Sequence, residues 1–404
     1  MIDYIRKFDI ELEREHYYAG ETLRGSVVIE NTENVRIRGV RVFLRGKAHA
    51  EWKITRGGER RAVKEDVYFI DEKALVWGKD KHDDGSIPIL PRGDHHFPFD
   101  FQLPECALPC SFESRMGTIR YYLRVLIDIP YASPPQGLKY FTIIGPHIDC
   151  MVDRYMTPVS CSDQSQRCCL CCMIGPISLD ATLDRSAYCC GENIKMKCSV
   201  ENGSDQNVWI ICRLIQKVEY RISKGVLGLT KDVSHKIWEY KGPTVSPHSS
   251  ETFHDLYKHL QVPVMPPTLN EVCKVIEIDY IIKVSLGLEK SGEDLEMEFP
   301  VDIATVPFRI PNSKPLELGY EIADERVEGG MYISPEFQLG QVYDGTANSH
   351  DEIVLYRPVY VCVPHERFSV TNANNAVSSD RCKGETSRQL QQQPQQPNTE
   401  STSV

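Results

Sequence analysis

Apolar and polar residues alternate along several stretches of the chain, and one of these stretches occurs twice. Residues 17 to 31 read YYAGETLRGSVVIEN, and residues 188 to 202 read YCCGENIKMKCSVEN. Tyr17 and Tyr188, Gly20 and Gly191, and Asn31 and Asn202 all stand at one constant offset. Alternate positions are apolar or small: Leu23, Gly25, Val27 and Ile29 in the first copy, Ile194, Met196, Cys198 and Val200 in the second. Their neighbours Arg24, Ser26 and Glu30, and Lys195, Lys197, Ser199 and Glu201, are polar. A period of two marks a strand with one buried face. A repeat at this separation predicts two copies of one β domain.

The same period continues beyond the repeat. Val35, Ile37, Val40, Val42 and Leu44 interleave with Arg36, Arg38, Arg41 and Arg45. The stretch FPFDFQLP alternates Phe97, Phe99, Phe101 and Leu103 before Pro104, which ends the strand. Tyr121, Leu123, Val125 and Ile127 share a face in IRYYLRVLIDI. The second half repeats this at a shorter offset: Leu260, Val262 and Pro263 answer Phe101, Leu103 and Pro104, and Tyr280, Ile282, Lys283 and Val284 answer Tyr121, Leu123, Arg124 and Val125. The first half therefore carries extra length between these points. The Gly/Asp-rich stretch around Gly78 to Gly85 is its natural place, within a region from Glu51 to Leu90 that is rich in charge and Gly and includes KDKHDDGSIPIL as an exposed loop. A helical period of 3.6 is not sustained beyond about three turns anywhere.

The expected fold is all-β: two tandem immunoglobulin-like β-sandwiches, residues 1–150 and 176–310, with a Cys-rich linker over 151–175. Alternation stops at Pro311, so residues 311–404 read as a mostly disordered tail, acidic and Gln-rich. From residue 372 to its QLQQQPQQPNTESTSV end the chain is too polar to offset its ordering entropy.

Charge narrows the partners. With 46 Lys and Arg against 57 Asp and Glu, the net charge of −11 argues against nucleic acid, which wants clustered cations. From Pro311 onward there are 13 acidic and 7 basic residues, so the folded body is nearer neutral and can carry local basic patches. The opening MIDYIRKFDIELE has no apolar core before a cleavage site, and no run reaches the ~18 apolar residues of a membrane span. A cytoplasmic protein is expected, its 15 cysteines reduced.

Several motifs in order now carry a resemblance. The GE…EN strand in both halves, FPFDFQLP, LPCSFESRMGTIRYYLRV (108–125) and CCLCCMIGPISLDATLDRSAYCCGE, with Gly175-Pro176-Ile177 and Asp184-Arg185, resemble the α-arrestins, the arrestin-domain-containing group that includes thioredoxin-interacting protein. The match covers roughly residues 5 to 308. It implies two arrestin-like sandwiches and a non-enzymatic adaptor in protein transport. Such an adaptor holds membrane-protein cargo, recruits WW-domain HECT ubiquitin ligases through PPxY motifs in the tail, and is drawn peripherally to plasma membrane and endosomes. Two other functions stay open: an arrestin-fold trafficking scaffold without ligase recruitment, closer to the arrestin-like retromer subunit, and a cysteine-cluster metal- or redox-responsive protein.

The chain has no PPxY. It offers Tyr356-Arg357-Pro358-Val359-Tyr360, in which Pro358 and Tyr360 keep half of the motif, as the WW-ligand candidate. A WW groove holds a preformed polyproline helix between aromatic walls, so one missing Pro removes contact and pre-organisation. The competing reading of LYRPVYVCV is a strand-forming segment.

Cys168, Cys169, Cys171 and Cys172 contain two CxxC spacings, but a structural zinc site wants two separated pairs. Cys189 and Cys190 could complete one, though no His is near. S-palmitoylation of the cluster and small apolar packing at the join are the other readings. The thioredoxin-trapping cysteine of the family is not carried over, because Cys212 and Cys273 bracket its region without a Cys between them.

Arg36, Arg38, Arg41, Arg45 and Lys47 form a basic run: either a solvated face, or a surface for acidic lipid headgroups or acidic cargo tails. Thr402, Ser403 and Val404 fit a C-terminal PDZ ligand, a pattern that also arises by chance in Ser/Thr-rich tails. GxSxG, GxGxxG and GxxxxGK[ST] do not occur, and His95-His96 precedes a strand without a partner nucleophile in sequence. No catalytic residue, metal or cofactor is expected.

Overall fold

The computed structural model describes residues 4–330, apart from 81, 82, 84, 133, 166, 167, 170, 171, 174, 224–227, 291 and 313–315, together with residues 357–364. In the first half the strands are β1 Ile5–Leu12, β2 His16–Tyr18, β3 Thr22–Asn31, β4 Val35–Arg36, β5 Gly39–Arg56 and β6 Glu59–Gly78. There follow β7 Ile89–Leu90, β8 Gly93–Gln102, β9 Phe112–Glu113, β10 Gly117–Asp128 and β11 Gln136–Ile144. The second half holds β12 Val159–Ser165, β13 Cys168–Cys169, β14 Cys172–Met173, β15 Ile177–Leu183, β16 Ala187–Cys189 and β17 Met196–Asn202. It continues with β18 Val208–Ile222, β19 Leu229–Val245, β20 Ser249–Phe253, β21 Ile276–Leu288 and β22 Gly292–Ala304. Two short strands come last, β23 Gly319–Ile322 and β24 Val359–Cys362.

The two halves are the same object built twice. The first has a sheet ordered β1-β3-β8 and a larger one ordered β2-β11-β10-β5-β6; the second has β15-β17-β20 and β16-β22-β21-β18-β19 in the corresponding order. Even the unusual pairing recurs, since β2 runs parallel to β11 and β16 parallel to β22. The alternating residues point where their period requires. Leu23, Val27, Ile29, Phe97, Phe99, Phe101, Tyr121, Leu123 and Val125 are buried in one half, and Met196, Cys198, Val200, Tyr280, Ile282 and Val284 in the other. Each fully buried aliphatic or Phe side chain is worth roughly 1.5–3 kcal/mol, so this core dominates the stabilising side of the balance. It forms one continuous apolar cluster through both sandwiches.

The extra length of the first half lies where the two offsets put it. Gly78 ends β6 and Gly93 begins β8, whereas Val245 and Ser249 leave only a tight turn in the second half. The longer segment carries β7, whose Ile89 and Leu90 pair with Arg36 and Val35.

Two expectations, the linker and the tail, need correction, and residues 59–78, a charged stretch to which the sequence assigns no element, form the long strand β6, which hydrogen-bonds along the whole of β5. Its residues are mostly exposed or half-buried, so core alternation is weak there. The stretch assigned to a linker contributes β12, which pairs with β15 from Val159↔Leu183 to Ser165↔Ile177. An edge strand exposed on both faces has no alternation to read. The tail is not structureless from residue 311: β23 and β24 pair, and Ala323, Val327 and Glu328 are buried. Residues 372–404 lie outside the described residues.

Candidate functional site

The repeated stretch builds the same turn twice. Gly20 and Gly191 have φ of 79° and 87°, the left-handed region that favours glycine. Gly20 N–H donates to Pro104 O at 2.9 Å, and Gly191 N–H donates to Val262 O at 2.8 Å. The carboxylates of Glu21 and Glu192 accept from the backbone N–H of Tyr18 and Cys189 at 2.8 and 2.7 Å. Arg14 pairs with Glu21 at 3.1 Å and Arg185 with Glu192 at 3.3 Å.

Their surroundings differ. The Arg14–Glu21 pair of the first turn is the more exposed, whereas the second turn lies buried at the seam between the two sandwiches and receives a strand there. Val363 N–H donates to Cys190 O at 2.8 Å. A Cβ on Gly191 would sit 2.2 Å from Val363 O, so a bare backbone admits the strand. That strand, β24, pairs with β23 in the register Gly319↔Cys362, Tyr320↔Val361, Glu321↔Tyr360 and Ile322↔Val359. Tyr360 is 3% exposed and its hydroxyl donates to Ser111 O of the first sandwich at 3.1 Å. Tyr360 and Val361 line a narrow apolar slot with Cys110, Ile144, Cys190 and Met265, drawn from both sandwiches. At the other side of the ribbon, Tyr320 stacks on His16 at 3.9 Å, and its hydroxyl lies 3.0 Å from that of Tyr18. Burial first, and then this contact, pushes the Tyr18 phenol well above its usual range.

A buried polar network closes the seam beside the ribbon. Ser114 of the first sandwich meets Tyr220 of the second, hydroxyl to hydroxyl, at 2.6 Å. Tyr220 donates to Glu328 Oε1 at 3.0 Å, and His235 Nε2 lies 2.8 Å from Oε2. Gln216 accepts from Glu328 N–H at 2.8 Å, and its amide nitrogen donates to Glu328 O at 3.2 Å and Tyr280 Oη at 3.1 Å. A satisfied network in a low dielectric fixes the geometry of what it joins, here both sandwiches and the segment after them. Burial and the neighbouring Glu328 raise the Tyr220 pKa, keeping it a hydrogen-bond donor.

The sequence-predicted residues fall as follows. Pro358 is buried with Tyr360 in the seam, so the segment takes its strand-forming reading and the body covers the motif. The basic run is not a free basic face. Arg38 and Arg41 pair with Asp128 at 3.7 and 2.9 Å, Arg45 with Asp71 at 2.9 Å, and Lys47 with Asp66 at 3.1 Å, while Arg36 is exposed on β4. The acids sit on β6 and at the end of β10, brought alongside β5 by a register that one strand's sequence does not reveal. The backbones of Cys168 and Cys169 pair with those of Met173 and Cys172, whereas Cys171, Thr402 and Val404 lie outside the described residues.

Sequence reasoning missed the seam network and the grouping of Cys150 with Cys189 and Glu192, whose ligand atoms lie within 4.8 Å of one another. This trio is poorly suited to a cation. Glu192 already faces Arg185 and the Cys189 amide, and Cys189 Sγ donates to Ala304 O at 3.1 Å. The hydrogen bond with Cys150, then burial, holds the Cys189 thiol far above its usual range. Burial pushes the Cys190 and Cys198 thiols up to about 12 and also raises those of Cys110, Cys212 and Cys273, so these behave as inert packing groups.

Two repeated sandwiches closed on a common seam define an arrestin-type body. The model of the arrestin (or S-antigen) N-terminal domain matches residues 7–149, and that of the C-terminal domain matches residues 174–308. The chain belongs to the arrestin family, in its α-arrestin branch. It is 28% identical over 298 residues to Arrestin domain-containing protein 4 of Mus musculus, covering 72% of this chain and 69% of that one. Arrestin domain-containing protein 17 of Caenorhabditis elegans is 26% identical over 304 residues, 72% of this chain and 68% of that one. Thioredoxin-interacting protein of Sus scrofa is 22% identical over 394 residues, 91% and 96% of the two chains.

Proposed function

We propose that the chain is a non-enzymatic adaptor on the cytoplasmic side of membranes, where the two sandwiches hold membrane-protein cargo and Pro358-Val359-Tyr360 recruits a WW-domain ubiquitin ligase. The observation that supports it is the pairing of one continuous two-sandwich body with a Pro-x-Tyr segment of its own chain. The buried Cys189 and Cys190 thiols, held protonated, are poor nucleophiles. The decisive experiment is proximity labelling in cells, comparing the intact chain with Pro358→Ala/Tyr360→Ala. Membrane proteins enriched by both, with ligase enrichment and cargo ubiquitination lost only in the variant, is the expected result. Ligase enrichment unchanged by the substitutions would sink the recruitment arm.

A second reading has one observation in its favour. The same Pro and Tyr are buried in the seam, as they would be in a trafficking scaffold that does not recruit ligases. Enrichment of retromer-class components in place of HECT-type ligases would select it.

A further inference from the structure

We infer that the interdomain seam and a WW groove are alternative partners for Pro358-Val359-Tyr360, so that the motif is presented only when the β23–β24 ribbon leaves the seam. This rests on the recruitment reading above and adds its regulation. A WW groove reads an exposed Pro ring and Tyr face on a polyproline helix, whose backbone carries no internal hydrogen bonds. In the seam both side chains are buried, and the backbone from Val359 to Cys362 is committed to the ladder with β23. One segment cannot satisfy both geometries at once.

The ribbon is also the piece of the body best suited to leave. Its strands have four residues each, and a two-stranded ribbon is marginal in water without a surface to lie on. It is held by Tyr320 against His16 and Tyr18, Tyr360 on Ser111 O and Val363 on Cys190 O, and by the burial of Tyr360, Val361 and Cys362 against the seam, a docked face rather than a place inside either sandwich's sheets. The core strands beneath keep their own pairing when it lifts, because β11 is held by β10 and β2, and β22 by β21 and β16. The Glu328 network is a separate anchor, so residues 323–330 stay fixed while the ribbon moves. Since Tyr360 touches the first sandwich and Val363 the second, release also removes a bridge across the seam. Linkage then requires that whatever spreads the seam strengthens recruitment by the same factor that recruitment favours spreading.

The test uses an isolated WW domain of the HECT-ligase class as probe. Its affinity is measured for a synthetic peptide of residues 354–364, for the full chain, and for full-chain Tyr320→Ala and His16→Ala. These two substitutions remove the two partners of one contact, the stack of Tyr320 on His16, without touching the motif. A docked state populated at 90% or above weakens apparent affinity by the released fraction, so the full chain should bind about tenfold or more weaker than the peptide. Both variants should recover most of that factor, with faster amide exchange at residues 359–362 and unchanged exchange in β21. Equal affinity of peptide and full chain would overturn the sheltering while leaving recruitment intact. A peptide that does not bind removes the recruitment reading and this inference together. Faster exchange at 359–362 without any gain in affinity would show that the ribbon does not gate the motif.

Discussion

The turn at Arg14–Glu21 and the turn at Arg185–Glu192 have the same wiring and different exposure. In the first, the Arg and Glu side chains are 45% and 32% exposed; in the second they are 8% and 12% exposed. Arg185 also lies over the rings of Tyr188 at 4.4 Å and Phe308 at 4.9 Å. Duplication therefore supplied one motif, and its position relative to the other sandwich decided its task. The outer copy shapes a turn whose His16 and Tyr18 meet Tyr320 at the edge of the ribbon. The inner copy shapes a turn that carries Cys190 and Gly191, the residues against which Val363 docks.

The largest expected contrast is between the two arginines. Removing one partner of a buried ion pair strands the other charge and costs about 3–5 kcal/mol, whereas exposed pairs contribute about 1 kcal/mol or less. Arg185→Ala should therefore lower the urea midpoint strongly, and Arg14→Ala should barely move it. Equal shifts would mean that seam burial does not set the energetics of the second turn.

A smaller contrast comes from the glycines. Both pay a left-handed strain of about 1–2 kcal/mol on substitution by alanine. Gly20→Ala adds ordinary contact, its Cβ 3.6 Å from Glu105 Cγ, while Gly191→Ala drives a methyl to 2.2 Å from Val363 O. Gly191→Ala should cost about 1 kcal/mol more than Gly20→Ala and should uniquely speed amide exchange at residues 359–363. If Gly20→Ala loosened that segment equally, the seam contact would not be what holds it.

These contrasts also mark what the sequence could reveal. Strand faces with one buried side were legible, because Leu123 or Val200 must recur every second residue to reach the core. The constant offset of Tyr17/Tyr188 exposed the duplication, and its later change located the segment before β8. Strand β12 was not legible, since its exposed faces impose no period, and neither was the partnering of Arg41 and Arg45, because sheet register joins residues far apart in sequence. The seam was hidden for a similar reason. Tyr360, Glu328 and Ser114 are unremarkable singly, and only the meeting of three chain segments gives them a role.

Tyr121 and Tyr280 offer a finer version of the same comparison. Each donates its hydroxyl to a proline carbonyl upstream, Tyr121 to Pro109 O at 2.9 Å and Tyr280 to Pro266 O at 2.6 Å. Tyr280 also accepts from the Gln216 amide at 3.1 Å, which ties it to the Glu328 network. Leaving a buried carbonyl unpaired costs about 1 kcal/mol or somewhat more, so thermal unfolding of Tyr121→Phe should register a loss of that size. Tyr280→Phe should lose about 1 kcal/mol or somewhat more for the Pro266 carbonyl and, because the Gln216 amide loses a partner as well, should also speed amide exchange at Glu328. Unchanged exchange at Glu328 would place Tyr280 outside the network.

The smallest effect sits where one sandwich passes into the next. Burial is the largest single influence and raises the Asp149 pKa, but the hydrogen bond from Arg309 at 2.7 Å, the Met151 N–H and the nearby positive charge together outweigh it, and the carboxyl titrates below its usual range. A depressed folded-state pKa means stability that is fully present above the unfolded value and is lost as pH falls through the folded one. Arg309 is 46% exposed, so solvent screening holds the contribution to about 1 kcal/mol or less. Asp149→Asn should therefore lower the melting temperature slightly at neutral pH, and the gap to the parent should close on acidification below the ordinary aspartate range. A gap that widened there instead would show that Asp149 is held in its protonated form, and that the join is built on a neutral hydrogen bond.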